Sequence, residues 1–203
     1  VADYLTEDVL VQQTAEVRDF LLRTSILRQL NTKVCAALVP RVDCQRMLEQ
    51  LDADHLLVTP LSNDQRVRRP PSLFPDYPRN EPAREHAEEI ARLHLAASGW
   101  YESEGRPVPA IDHAIEGGDH PLALDLLEQH AEQFLHQGRM RLLARWFNVL
   151  PLALLQQRSA VEIVAVWAAN FTVGPGVAMA WLEQVEARHP SHAGVQAHAR
   201  CMR

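Results

Sequence analysis

Residues 85–151 read EHAEEIARLHLAASGWYESEGRPVPAIDHAIEGGDHPLALDLLEQHAEQFLHQGRMRLLARWFNVLP. Apolar residues recur in this stretch at intervals of three and four, which predicts a series of amphipathic helices. Glycines follow the predicted helices at regular distances: 33 residues separate Gly105 from Gly138, and 36 separate Gly138 from Gly174. Such intervals are typical of a helix-pair repeat of the tetratricopeptide kind, whose period is about 34 residues. An ordinary helical bundle with accidental glycine spacing is the alternative.

A stack of helix pairs leaves one concave wall of side chains free, because the other faces pack against neighbouring pairs. In tetratricopeptide geometry the first helix of each pair builds most of this wall, and those helices are predicted at 86–104, 121–137 and 159–173. Polar residues interleaved with the apolar positions are the candidate contacts for a ligand or partner: Arg92, Gln129, Gln133 and Asn170. Solvation alone is the competing interpretation of these side chains.

The first part of the chain predicts short helices followed by a β-hairpin. Residues 1–13 have a helical apolar stripe, and Thr14, Asn31 and Asp43 each stand in the N-cap position before another helical pattern. The runs HLLVTPL and RVRR flank the turn cluster SNDQ, which predicts two strands joined by a turn. Three helices followed by a hairpin are the outline of a winged helix.

Prolines mark the predicted domain boundary. Five of them lie between residues 70 and 82, and proline disfavours a regular helix because it lacks a backbone N–H and restricts its predecessor. We therefore predict a mainly α fold of two domains. A winged-helix domain with a small β-hairpin covers 1–80, and tetratricopeptide-like helical hairpins cover 81–203, incomplete at the C-terminus. The chain begins at Val1 within an amphipathic pattern, which is typical of a piece of a longer protein.

The composition is that of a globular protein, with 203 residues, 47% hydrophobic and 23% charged. No apolar run reaches the roughly 18 residues of a membrane span, and no signal-peptide pattern is present. We therefore predict a cytoplasmic protein that does not contact membranes. Cys35, Cys44 and Cys201 are too scattered for a disulfide framework or a zinc site, and Cys35 is predicted to be a core residue.

The charge distribution argues against direct binding of nucleic acid. The formal net charge is −6, and residues 43–54, the predicted third helix of the winged helix, carry four acidic residues against Arg46 alone. The basic cluster of the predicted hairpin consists of Arg66, Arg68 and Arg69, which could meet a phosphate or an acidic neighbouring domain. An exposed turn is the alternative for this cluster.

Motifs of catalysis and metal binding are missing. The sequence contains no GxxxxGK[ST] phosphate loop, no HExxH, no paired-cysteine pattern and no GxSxG elbow. We therefore predict a chain that is not an enzyme and holds neither a cofactor nor a metal. His189, His192 and His198 are interpreted as a solvated face. The four tryptophans occupy apolar helical positions, which favours core packing over a ligand cage.

Six segments resemble, in their order, the MalT-like, LuxR-type ATP-dependent transcription regulators: EVRDFLLRTSIL (16–27), LLVTPLSNDQR (56–66), SLF (72–74), LHLAASGWYESEG (93–105), AIDHAIEGGD (110–119) and WFNVLP (146–151). The resemblance implies a winged helix and a tetratricopeptide-like superhelix between an upstream nucleotide-binding domain and a downstream DNA-binding domain. It also implies ATP or ADP in the upstream domain, and a small-molecule inducer or protein partner.

One segment departs from the family pattern. Family members carry a Tyr-His-His-Leu-Phe-like segment after the hairpin, and in related signal-transduction ATPases a histidine near that point senses the nucleotide. This chain has RPPSLF at 69–74, without a histidine. Together, the sequence patterns and the family resemblance predict a non-catalytic regulatory and sensor segment that couples nucleotide state to ligand or partner sensing. A stand-alone helical-repeat adaptor is the alternative, and an all-α enzyme has no set of residues to support it.

Overall fold

The computed structural model describes residues 13–54, 58–60, 68–69 and 83–203. The chain forms two compact units, Val1–Glu104 and Gly105–Arg203. The predicted domain boundary after residue 80 lies outside the described residues and stays a prediction.

The first unit contains four helices and two short strands within the described ranges. In chain order they are α1 (Ala15–Thr24), α2 (Thr32–Leu38), α3 (Cys44–Ala53), β1 (Val58–Pro60), β2 (Arg68–Arg69) and α4 (Ala83–Ser103).

Side-chain caps begin α1, α2 and α3 at the three predicted positions. Thr14 Oγ1 accepts a hydrogen bond from a backbone N–H of the first turn at 3.3 Å, Asn31 Oδ1 accepts one at 3.0 Å and Asp43 Oδ1 accepts one at 3.1 Å. Each cap satisfies an N–H group that has no partner inside the helix. The three predicted helix starts are confirmed.

The strands β1 and β2 pair antiparallel, with Val58 opposite Arg69 and Pro60 opposite Arg68. Residues 61–67, which would join them, lie outside the described residues, so the complete hairpin stays a prediction. Residues 1–12 also lie outside the described part, and with them most of the helix predicted at 1–13.

The core of the first unit forms around α2, which contacts α1, α3 and α4. Phe20, Leu30 and Val34 have no exposed surface. Burial raises the pKa of the Cys35 thiol to about 12 and also raises the pKa of Cys44. Both thiols are therefore protonated at neutral pH, and the prediction that Cys35 is a core residue is confirmed.

The second unit consists of seven helices: α5 (Pro107–Glu116), α6 (His120–His136), α7 (Met140–Phe147), α8 (Leu152–Leu155), α9 (Ser159–Thr172), α10 (Pro175–Arg188) and α11 (Ala193–Met202). The central helix is α9, which contacts α6, α7, α8, α10 and α11. Its apolar sequence SAVEIVAVWAAN explains this position, because nearly every side of the helix is buried. Among the described residues, no helix combines the length and the apolar character that crossing a bilayer requires.

Glycines end the helices where the sequence predicts. Gly138 follows α6 with φ 70°, and Gly174 separates α9 from α10 with φ 134° and ψ 161°. An L-residue with a side chain is strained in both conformations, and the region occupied by Gly174 is essentially restricted to glycine. The turn between α9 and α10 therefore depends on this glycine.

Replacement of Gly174 by alanine is expected to lower the free energy of unfolding by about 1–3 kcal/mol, because alanine does not tolerate this backbone conformation. Gly176→Ala is the matched control two residues on. Gly176 lies inside α10, and a Cβ added there meets no atom within 4 Å. The control is expected to leave the stability unchanged or to raise it by up to about 1 kcal/mol. Urea unfolding followed by circular dichroism measures both, and equal stability of the two variants would contradict the prediction.

Candidate ligand pocket in the second unit

A cavity of about 210 Å³ lies between α6, α9 and α11. Its apolar lining includes Ala131, Val161, Val164 and Val195. Its polar lining consists of Glu128, Glu132, Ser159, His192 and His198. The helical period places Glu128, Ala131 and Glu132 on one face of α6, because residues three and four apart are neighbours on a helix surface.

The two histidines of the cavity are held through the same ring atom. His192 is the N-cap of α11, where its Nδ1 accepts a hydrogen bond from the Val195 N–H at 3.3 Å. His198 Nδ1 accepts a hydrogen bond from the Trp167 indole N–H at 3.0 Å. A neutral imidazole that accepts at Nδ1 carries its proton on Nε2. Each ring therefore keeps an Nε2–H donor.

Glu128 is paired with an arginine from the start of α9, which it shares with Asp125. Arg158 Nη1 donates to Glu128 Oε2 at 2.7 Å, and Arg158 Nη2 lies 2.5 Å from Asp125 Oδ1. The hydrogen bond that Arg158 donates to Glu128, together with its hydrogen bond to Asp125 and the negative charges of both carboxylates, raises the pKa of Arg158. This cluster joins α6 to the start of α9 on one side of the cavity.

A second carboxylate of α9 is buried between α9 and α10. Glu162 has no exposed surface, its Oε1 accepts a hydrogen bond from the Trp181 indole N–H at 3.0 Å, and Arg188 donates to the same oxygen. Within the described part of the chain, Glu162 Oε2 has no hydrogen-bond partner. A buried carboxylate needs such partners, because removal of a charge from water is costly.

Three tryptophans connect helices through their indole N–H groups. Besides Trp167 and Trp181, Trp146 donates to Asp112 Oδ1 at 2.7 Å and is almost fully buried. Arg145 binds the same oxygen at 2.5 Å. The prediction of core packing is confirmed for Trp146, whereas Trp100, Trp167 and Trp181 are half-buried.

The residues predicted for the concave wall do not line this cavity. Gln129 and Gln133 are exposed on α6, each one position after a glutamate of the cavity, and Asn170 is half-buried on α9. Arg92 is exposed on α4 in the first unit, where its Nε–H donates to the Glu88 carbonyl at 3.3 Å. Contact of these four residues with a ligand or partner stays a prediction.

The predicted basic cluster is described only in part. Arg68 and Arg69 form β2, where the backbone alone is described, and Arg66 lies outside the described residues. A phosphate or interdomain contact by the three arginines stays a prediction.

Sequence reasoning missed the residues that build the cavity. Glu128 and Glu132 are exposed helix charges, and His192 is exposed as the solvated-face interpretation predicts, whereas His198 is half-buried. What the sequence does not indicate is that these four residues line one cavity. The capping position of His192, directly before the helical pattern AGVQAHARCM, is the one local signal for its role. The hydrogen bond between Trp167 and His198 joins residues that lie 31 positions apart, so no local sequence pattern predicts it.

Comparisons with known proteins agree with the family resemblance. Residues 6–90 match the MalT winged helix domain. The chain is 32% identical over 170 residues to the HTH-type transcriptional regulator MalT of Yersinia pestis (strain Pestoides F), an alignment that covers 84% of this chain and 19% of the relative. The corresponding regulator of Yersinia enterocolitica (serotype O:8 / biotype 1B) is 31% identical over 186 residues, which covers 92% of this chain and 21% of the relative.

The chain spans about a fifth of the length of these relatives. Its similarity extends beyond the winged helix region into the helices of the second unit, because the aligned part covers far more than residues 6–90. The chain is therefore MalT-like over most of its length.

Proposed function

We propose that this chain is a non-catalytic regulatory segment of an ATP-dependent, LuxR-type transcription regulator. In this proposal the winged-helix unit couples nucleotide state to the second unit, and the second unit senses a ligand or protein partner. The observation that carries the proposal is the similarity to MalT regulators over 84% of the chain. The cytoplasm is the corresponding location.

The partners of this segment follow from the same similarity. An upstream domain holds ATP or ADP, and a downstream domain binds DNA. The segment itself does not bind duplex DNA, since α3 presents exposed Glu49 and Asp52 beside Arg46 and would repel a phosphate backbone. Arg66, Arg68 and Arg69 are the candidate contacts to the nucleotide-binding domain.

The second unit is proposed to act as a tetratricopeptide-like array. The predicted first helices at 121–137 and 159–173 correspond to α6 and α9, and α11 begins the next pair. These three helices surround one cavity. This arrangement supports a sensing role, because the first helices of such pairs build the inner surface.

A transcription reporter tests the proposal in the full-length regulator. Alanine at Gln129, Gln133 and Asn170 together is expected to reduce the response to the inducer at least about tenfold, a loss of roughly 1.4 kcal/mol in coupling. The thermal midpoint should change little, because none of the three side chains is buried.

Gln157→Ala with Gln184→Ala is the control, since both side chains lie outside the three predicted wall helices and neither is buried. A full response in the triple variant would contradict a sensor at this wall.

An interaction adaptor is the second candidate function. Phe171, Val173 and Val177 are more than half exposed around the turn between α9 and α10, and exposed apolar clusters are common at protein interfaces. Under this alternative the chain would act without nucleotide, so its partner binding would not respond to ATP or ADP in the full-length protein.

A further inference from the structure

Three charged or ring groups of the cavity between α6, α9 and α11 are available to a ligand: the exposed carboxylate of Glu132, the exposed imidazole of His192 and the half-buried imidazole of His198. Within the described residues, the Glu132 carboxylate takes part in no hydrogen bond or ion pair, unlike Glu128, which binds Arg158. His192 and His198 use Nδ1 within the protein, so the Nε2–H of each ring remains as a donor. Besides the Ser159 hydroxyl, the cavity therefore offers one carboxylate acceptor and two N–H donors.

The rest of the lining is mainly aliphatic and favours a ligand with an apolar side chain. Aliphatic side chains of α6, α9 and α11 form most of the wall, with Val161, Val164 and Val195 among them. A cavity of about 150 Å³ accommodates benzene, so a volume of about 210 Å³ has room for a somewhat larger molecule. A ligand of this size contributes hydrophobic binding free energy in proportion to the apolar area that it buries.

A simple ion satisfies only part of this set of groups. An anion would accept from the two imidazole N–H groups but would face the unpaired carboxylate of Glu132. A cation would pair with Glu132 but would gain nothing from the two N–H groups, which would stay hydrated because His192 is exposed and His198 is half-buried. A ligand with one group of each kind, attached to a small aliphatic body, satisfies all three.

We propose that this cavity binds a zwitterionic, apolar α-amino acid. Its ammonium group pairs with Glu132, its carboxylate accepts from the Nε2–H groups of His192 and His198, and its aliphatic side chain occupies the space beside Val161 and Val164. The proposal rests on the sensing role proposed for the second unit and names the class of ligand that this role requires.

Calorimetry of the chain with three related probes tests the proposal. Leucine carries both charged groups, 3-methylbutylamine lacks the carboxylate and 4-methylpentanoate lacks the ammonium. Leucine is expected to bind at least about tenfold more tightly than either analogue, because each analogue loses a charge-assisted hydrogen bond. An absence of leucine binding, or equal binding of leucine and an analogue, would overturn the proposal.

Two variants assign the charged groups. Glu132→Gln removes the acceptor charge, and His192→Asn removes the Nε2–H while asparagine still caps α11. Each is expected to weaken leucine binding about tenfold or more. The charge-matched control is Glu183→Gln, an exposed position on α10 outside the cavity. Circular dichroism verifies that α11 stays folded, and unchanged leucine affinity in both folded variants would refute the assignment.

The calorimetric result is independent of the transcription reporter. Calorimetry measures binding to the chain itself, whereas the reporter measures the response of the full-length regulator. Loss of the reporter response without amino-acid binding would leave the sensing role in place and overturn the ligand class. Amino-acid binding with an unaffected reporter response would support the ligand class and contradict the sensing role.

Discussion

Replacement of Arg188 by methionine is expected to lower the free energy of unfolding by about 3 kcal/mol, because it leaves Glu162 buried without its charged partner. Glu162 has no exposed surface, and its Oε1 accepts from both Arg188 and the Trp181 indole. Arg188 itself is about one-third exposed, so water reaches part of the pair and the expected loss lies at the lower end for buried ion pairs. Urea unfolding followed by circular dichroism measures the change.

A second substitution separates the buried charge from the lost packing. Glu162→Gln in the Arg188→Met background removes the uncompensated charge and still offers Trp181 an amide oxygen, so it should restore most of the lost stability. Arg200→Met is the control, because Arg200 is exposed on α11. A double variant no more stable than Arg188→Met alone would contradict this account of the Glu162 site.

Trp146→Ala is expected to lower the free energy of unfolding by about 3–5 kcal/mol, the range for removal of a large aromatic side chain from a core. The Trp146 side chain is 2% exposed, and its ring centroid lies 5.5 Å from that of Phe134. Its indole N–H also donates to Asp112 at 2.7 Å. Because the residue joins α5, α6 and α7, its loss affects three helices.

Trp146→Phe separates the two contributions of this side chain. Phenylalanine keeps much of the buried volume and removes the hydrogen bond to Asp112, which keeps Arg145 as a partner. The expected loss is about 1–2 kcal/mol, well below that of the alanine variant. Thermal unfolding followed by circular dichroism compares them. Equal losses for both variants would assign the effect to the hydrogen bond and contradict a dominant role of packing.

Local chemistry made the helix boundaries predictable. Asn31 and Asp43 cap their helices through side-chain contacts three residues away, so sequence neighbours alone determine the outcome. Gly138 and Gly174 end helices through their own backbone conformations. Periodicity and caps therefore located most helices of the described chain before any tertiary contact was known.

Contacts between distant segments limited the prediction of the site. Glu162 lies in a pattern typical of an amphipathic helix with one exposed charge, and its partner Arg188 is 26 residues away. The rotation of α6 about its own axis was also difficult to predict. A shift of one residue along a helix changes the direction of the side chain by about 100°. The cavity is lined by Glu128 and Glu132, whereas the predicted wall used Gln129 and Gln133.

The central position of α9 affects how the second unit loses its structure. In a simple linear array each repeat contacts only its neighbours, so the outer repeats can open while the others stay folded. The contacts of α9 with α6, α7, α8, α10 and α11 are of this nearest-neighbour kind, and release of α10 and α11 would expose the apolar surface of α9 that these two helices cover. That exposure raises the free energy needed to open the outer helices alone, so we expect amide hydrogen exchange of α10 and α11 to be nearly as slow as that of α9.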